Sequence, residues 1–136
     1  MYNIPFCAPE IPLEYMKELL DIPNIIGLKD SSGNMMYLSK VMGVIKEKRP
    51  DFHVFTGQDI CLPAKRLHLV PSGCISALSW MFDKEEKELI EAYHCRNLEK
   101  ASQIQMNIIQ LVRHLDGIAF PENYRILSGI IGVDAG

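Results

Sequence analysis

The sequence predicts an α/β fold built on a parallel sheet, and three observations carry that expectation. Short apolar runs recur, each closed by a lysine, a glycine or small polar residues, as strands buried on both faces tend to be. Stretches with the apolar spacing of a helix, about ten residues each, separate them. Those stretches supply the helix-sized return path that consecutive parallel strands need, with a right-handed crossover. The chain has 136 residues, enough for one core, since a chain of about 150 residues buries roughly 70% of the surface it exposes when unfolded.

The elements follow in order. The opening YNIPFCAPEIP is proline-rich and sets Tyr2-Asn3 at a strand end before Pro5. Residues 13–21 read as a helix entered through Pro12, where a missing N–H costs nothing. Ile25 to Lys29 is an apolar run ended by lysine, bounded by Pro23-Asn24 before it and by Ser31, Ser32 and Gly33 after it. From Met35 to Lys48, the positions Leu38, Val41, Met42 and Ile45 share one helical stripe, and Arg49-Pro50 closes the helix. FHVFTG, Phe52 to Gly57, is the next strand, and a brief helix over Ala64 to Leu69 follows Pro63. GCISALSW, Gly73 to Trp80, is a further strand candidate. Beyond Asp83 the strand signal stops. Ile104, Ile108, Leu111, Val112 and Leu115 mark one helical stripe, Asn97 divides the region into two helices, and Pro121-Glu122 opens another.

Composition excludes several classes. Apolar residues at 48% and charged residues at 23% sit at the globular average, which argues against wholesale disorder. A net charge of −3 without a long basic run leaves no footprint for nucleic acid and no polybasic patch for a membrane surface. No segment approaches the ~20 apolar residues of a membrane-spanning helix, and the start lacks the plan of a secretory signal, so a cytoplasmic location is expected. Cys7, Cys61, Cys74 and Cys95 show neither C-x-x-C spacing nor a nearby histidine pair, which predicts reduced, buried thiols. Trp80 is expected in the core or an interface, and the run KEEKE as a solvated first helical turn.

In parallel α/β folds the loops after the carboxyl ends of the strands form the ligand crevice. The residues to weigh are therefore Tyr2-Asn3, Lys29-Asp30, Thr56-Gly57 with Asp59, and Ile75-Ser76. Lys29 lies between buried aliphatics and the crevice mouth, and partial desolvation there favours the neutral amine. A neutral amine can attack a ketone and form a Schiff base. The ordinary alternative is a lysine that reaches solvent or pairs with Asp30. Tyr2 has two readings as well: a phenol that relays protons near a Schiff-base carbon, or a structural ring at a strand end. The residues by themselves leave both pairs of readings open.

The segment YNIPFCAPEIPLEYMKELLDIPNIIGLKDS, Tyr2 to Ser31, resembles the signature of the dihydrodipicolinate synthase / N-acetylneuraminate lyase family of class I aldolases. It carries a Y-N-x-P opening, a small residue at Ala8, a helix-length spacer and G-φ-K-D-S around the lysine, with φ apolar. FTGQD and SGCISAL resemble the next two strand ends of that family. The resemblance implies a (β/α)8 TIM barrel with C-terminal helices, assembled as an oligomer. It implies that Lys29 forms a Schiff base with pyruvate or another 2-keto acid and that Tyr2 shuttles protons. By the same resemblance Gly57 and Asp59 fall where sugar-acid members contact substrate hydroxyls. Ile75 and Ser76 fall where strand backbone lines the keto-acid pocket. The iminium is the electron sink, so neither a metal nor an organic cofactor is implied.

The chain departs from the family pattern in three places. Synthases proper usually carry an arginine two residues after the proline of Y-N-x-P, where it binds a substrate carboxylate, and here that position is Cys7. This favours a 2-keto-3-deoxy sugar acid aldolase, a sialic acid lyase or a relative of unassigned substrate over a synthase using aspartate semialdehyde. The G-T-T-G-E loop that holds the pyruvate carboxylate belongs to an early strand and has no match here. The chain thus corresponds to the C-terminal half of the barrel, strands five to eight, in truncated form. Residues 1–83 are the half barrel bearing the Schiff-base lysine and 84–136 the C-terminal helical region of the same domain, ending at VDAG inside the final helices. A half barrel presents free sheet edges and an apolar face, so self-association or pairing with a missing half is expected. Two functions stay open: a Schiff-base lyase, or a non-catalytic relative acting as a structural or interaction module.

Overall fold

In the structure, a computed structural model, residues 1–62 and 72–134 are described. They belong to two compact units, Met1–Ser76 and Ala77–Gly136. In the first, four parallel strands lie side by side in chain order: β1 (Tyr2–Asn3), β2 (Gly27–Asp30), β3 (His53–Thr56) and β4 (Gly73–Cys74). Helix α1 (Leu13–Leu19) returns the chain from β1 to β2, and α2 (Met35–Lys48) from β2 to β3. This is the parallel α/β arrangement that the periodicity predicts.

The register pairs Tyr2 and Phe55 with Lys29, and Asn3 and Thr56 with Asp30. Because successive side chains on a strand point to opposite faces, two sets result. Leu28 and Val54 enter a core with Met16 of α1, Leu20 just beyond it, and Leu38, Val41 and Ile45 of α2. Tyr2, Lys29 and Phe55 stand on the other face. Burial on both faces of the strands, expected from the sequence, is therefore corrected: Leu28 and Asp30 are buried, whereas Gly27 and Lys29 are only partly so. The apolar run reads as continuous because Gly27 and the stem of Lys29 add no polar break, although the helices of this unit cover one face.

Local signals explain how the lysine strand is set. The polar run after it makes a turn in which Gly33 adopts φ 71°, a left-handed backbone that glycine tolerates without strain. The Asn34 backbone N–H donates to Ser32 Oγ, and the Asn34 side chain caps α2 by accepting from the Tyr37 N–H at 3.0 Å. At the other end of α2, the Arg49 guanidinium donates to the carbonyls of Leu20, Ile22, Pro23 and Ile25 at 3.3, 3.2, 3.4 and 2.8 Å. One side chain thus ties down the loop that feeds β2.

Boundaries shift where tertiary pairing decides them. The first helix closes at Leu19 rather than at residue 21, and the two apolar runs become Gly27–Asp30 and His53–Thr56. The strand expected over Gly73 to Trp80 is only Gly73–Cys74. Its last ladder bond runs from the Ile75 N–H to the Thr56 carbonyl, where β3 ends and the chain turns into the 3-10 segment Asp59–Cys61. A strand cannot extend past its neighbour's backbone. The N–H groups of Met81 and Phe82 then both reach the Leu78 carbonyl, forming turns, and Trp80 is exposed rather than in the core. The short helix expected over Ala64 to Leu69 lies outside the described residues. No cysteine is disulfide-bonded, and the expected burial is corrected: Cys7 and Cys95 are exposed and Cys61 and Cys74 only partly buried.

The second unit holds α3 (Asp83–His94), α4 (Leu98–Leu115) and α5 (Glu122–Ile130). Asn97 does separate the first two, its side chain accepting from the Lys100 N–H at 3.1 Å. Ile108 and Leu115 of the predicted stripe are buried with Ala101. The KEEKE run needs correction: Glu86 is buried and accepts a hydrogen bond from Ser79 Oγ at 2.6 Å, so only part of that turn faces solvent. Among the described residues no helix is long and apolar enough to cross a membrane.

Candidate active site

The site lies at the carboxyl edge of the sheet, where β1, β2 and β3 end together. Register alone sets Tyr2 beside Lys29 on neighbouring strands, and the Lys29 ammonium lies over the Tyr2 ring, 4.5 Å from its centroid. That is within the range in which a cation is drawn to the face of an aromatic ring. Tyr2 is 46% exposed, so the pair faces open space rather than the core.

Asp30 does not pair with Lys29. It is fully buried on the opposite face, where its Oδ1 accepts from Asn3 Nδ2 at 2.8 Å and from the Ser32 N–H at 3.3 Å. Asn3 Oδ1 in turn accepts from the Ile11 N–H at 3.2 Å, which anchors the loop after β1.

Ser31 and Gly57 complete the cluster. The Ser31 hydroxyl donates to the Tyr2 oxygen at 3.2 Å, its N–H donates to the Asn3 carbonyl at 2.8 Å, and its carbonyl accepts from Gln58 Nε2 at 2.7 Å. Gly57 donates its N–H to the Asp30 carbonyl at 2.8 Å. A Cβ on Gly57 would lie 2.7 Å from Lys29 Cε and would overlap Ser31 Oγ, so the absence of a side chain there leaves room for both.

Of the residues singled out from the sequence, Lys29 thus meets both of two others, its ammonium over the Tyr2 ring and its Cε close against Gly57. Asp59 is buried within the 3-10 turn just beyond Gly57. Ile75 and Ser76 follow β4 at the same edge of the parallel sheet, Ile75 bonded through its N–H to Thr56 and half-exposed. The sequence pattern does not single out Ser31 or Gln58: Ser31 lies inside the G-φ-K-D-S motif, but its place in the cluster depends on hydrogen bonds to residues distant in sequence.

Just behind the site, on the core side, Tyr37 is buried and its hydroxyl has no hydrogen-bond partner among the described residues. Burial, with Glu10 and Asp30 adding negative charge nearby, pushes its phenol up to about 12. Among the described residues no three His, Cys, Asp or Glu side chains come together to hold a metal ion. A cavity of about 450 Å³ in the helical unit is lined by aliphatic side chains, Phe82, Asn107 and glutamates, and holds no lysine or thiol to act as a nucleophile.

Fold and site together define a parallel α/β protein with a lysine and a tyrosine juxtaposed at the strand ends. Residues 1–136 match the model of the dihydrodipicolinate synthetase family, and the chain belongs to that family. It is 33% identical over 138 aligned positions to a 4-hydroxy-tetrahydrodipicolinate synthase of Listeria monocytogenes, covering all of this chain and 45% of that one. The chain therefore spans about half the length of the curated relatives it matches. Its structure is similar to a 2-keto 3-deoxygluconate aldolase from Picrophilus torridus, at TM-score 0.80 and 29% identity, covering 98% of this chain and 47% of the other. It is similar also to a prophage protein of the dihydrodipicolinic acid synthase family from E. coli K12, solved in complex with pyruvate. That match has TM-score 0.80 and 26% identity over 96% of this chain and 44% of the other.

Proposed function

We propose that this chain carries the imine-forming part of a class I aldolase or lyase that acts on pyruvate or another 2-keto acid. The observation that carries the reading is the Lys29–Tyr2 pair, an amine 4.5 Å from the centre of a phenol ring at the carboxyl edge of a parallel sheet. Family membership and the pyruvate complex of one similar protein support it.

The chemistry follows from the two groups. The Lys29 amine adds to the keto carbon, giving a carbinolamine. Tyr2 gives its proton to the departing hydroxyl, which leaves as water, and the iminium forms. In cleavage of a 4-hydroxy-2-keto acid the Tyr2 phenolate takes the proton of the C4 hydroxyl as the C3–C4 bond breaks, and the electron pair of that bond flows into the iminium to leave an enamine and an aldehyde. In the reverse direction the enamine attacks the aldehyde, whose oxygen takes the proton back from Tyr2. Gly57 keeps the lysine tail and the serine hydroxyl in place, and Asp59, Ile75 and Ser76 contribute to the surface that meets the substrate. Cys7, standing where synthases carry arginine, favours a sugar-acid substrate over an amino-acid semialdehyde.

In this reading the chain is the half of the barrel comprising strands five to eight, with the helices that follow. It works in the cytoplasm as an oligomer, or with a polypeptide that supplies the remaining strands. A second reading, a non-catalytic interaction module, is favoured by one observation: no segment matches the G-T-T-G-E carboxylate loop.

Borohydride trapping separates the two. The chain is incubated with pyruvate and reduced, and its peptides are read by mass spectrometry. A covalent adduct on Lys29, lost in Lys29→Arg because guanidinium does not form the imine, supports the lyase. A folded chain that gives no adduct refutes it.

A further inference from the structure

We propose that Ser31 is a positioning residue for the Tyr2 phenol. The inference rests on the reading of Lys29 and Tyr2 as the reacting pair, and it adds a third side chain to that machinery.

The argument starts from what Tyr2 lacks. Its ring is half-exposed and it belongs to a strand of only two residues, so packing alone leaves its hydroxyl free to wander. Among the described residues two contacts hold it: the Lys29 ammonium over the face and the Ser31 hydroxyl at the oxygen. Ser31 is suited to that task because it is itself fixed. It is 6% exposed, and both its backbone groups are bonded, to Asn3 on one side and Gln58 on the other. Its bond to Asn3 clamps it to the strand that carries Tyr2. Gly57 closes the space behind Oγ so tightly that no Cβ fits there.

The direction of the bond matters for the chemistry. Ser31 supplies the hydrogen, so the phenol keeps its own proton free to give to the hydroxyl that leaves the carbinolamine. At 3.2 Å the bond is long for an O–H···O pair, so its loss should cost a modest factor.

The test is a double-mutant cycle on the rate of borohydride-trappable adduct with pyruvate, using the whole chain. Ser31→Ala should slow trapping about threefold to tenfold, the factor expected for one neutral hydrogen bond. In the Tyr2→Phe background, where there is no hydroxyl to position, the same substitution should change the rate less than about twofold, because the coupling is lost. A serine acting only on stability would slow both backgrounds alike, and that result, or a Ser31→Ala chain that traps at the parent rate, overturns the proposal.

A second readout needs no chemistry. In chains carrying tyrosine labelled at 13Cζ, the resonance lost in Tyr2→Phe should move in Ser31→Ala. If it stays put while the parent forms adduct, the positioning role fails and the Schiff-base reading stands. If it moves but the parent forms no adduct, the Schiff-base reading fails and takes the catalytic role of Ser31 with it.

Discussion

Gly57→Ala tests whether the site is built on close approach. The backbone at Gly57 lies outside the left-handed region, so alanine brings no dihedral strain of its own. Its methyl, however, would stand 2.7 Å from Lys29 Cε and 3.3 Å from Ser31 Cβ, and nearer still to the serine oxygen. Carbon atoms prefer about 3.5 to 4.0 Å, so the lysine tail must retreat by roughly 1 Å and the hydroxyl must turn away. Both are side-chain ends that can move, so the cost to folding should stay within the ~1 to 3 kcal/mol usual for overpacking. The cost to chemistry should be larger, since a displacement of about 1 Å at a reacting group can cost on the order of 100-fold in rate. The assay pairs the rate of adduct trapping with pyruvate against the urea midpoint of the same preparation. A folded Gly57→Ala chain that traps at the parent rate would refute the claim that this glycine sets the position of Lys29.

Two further predictions concern the frame around the site. Tyr37 is held at about 12 against an ordinary value of 10.0. Below pH 10 both folded and unfolded chains keep that proton. Between pH 10 and 12 only the folded chain keeps it, so the unfolded state binds fewer protons and stability falls as pH rises, by ~3 kcal/mol in total. Tyr37→Phe should lack that part of the alkaline loss and, having shed a buried hydroxyl with no described partner, should be at least as stable at neutral pH. Urea midpoints at pH 8 and pH 11 decide this, and equal alkaline losses in the two chains would count against it. Arg49→Ala removes four hydrogen bonds to carbonyls between Leu20 and Ile25 and should cost about 1 to 3 kcal/mol. Arg49→Lys should recover only part of that, because the three N–H groups of a single ammonium nitrogen cannot span four separate carbonyls. Full recovery by lysine would show that charge rather than geometry matters there.

What could be read in the sequence is what depends on local pattern. The α2 stripe, the strand that carries Lys29 and the break at Asn97 are each dictated by residues within a turn or two, and each is present. The Y-N-x-P to K-D-S spacing also survives, because it encodes one β-α-β return. What could not be read depends on partners far along the chain. The end of β4 is set by where β3 stops, at Thr56. The burial of Glu86 depends on Ser79 in the preceding turn. Ser31 acquires its importance only once Tyr2 is placed across from it, and Gly57 only once Lys29 and Ser31 crowd against it.

The dipeptide Lys29-Asp30 shows the same principle at its sharpest. Neighbours in sequence suggest an ion pair, but neighbours on a strand point to opposite faces, and here each finds its partner on β1 instead. Tyr2 stands against Lys29 on the open face, and Asn3 against Asp30 on the buried one. The two motifs Y-N and K-D are therefore one arrangement with a division of labour. The buried pair holds the register with a charge-assisted hydrogen bond, of a kind contributing roughly 1.5 to 3 kcal/mol. A slip of one residue would turn Lys29 and Tyr2 into the core and Asp30 out of it, which makes the wrong register costly on both faces. Strand alternation thus turns the Asp30 carboxylate away from the Lys29 amine and uses it to lock the strand that presents the lysine.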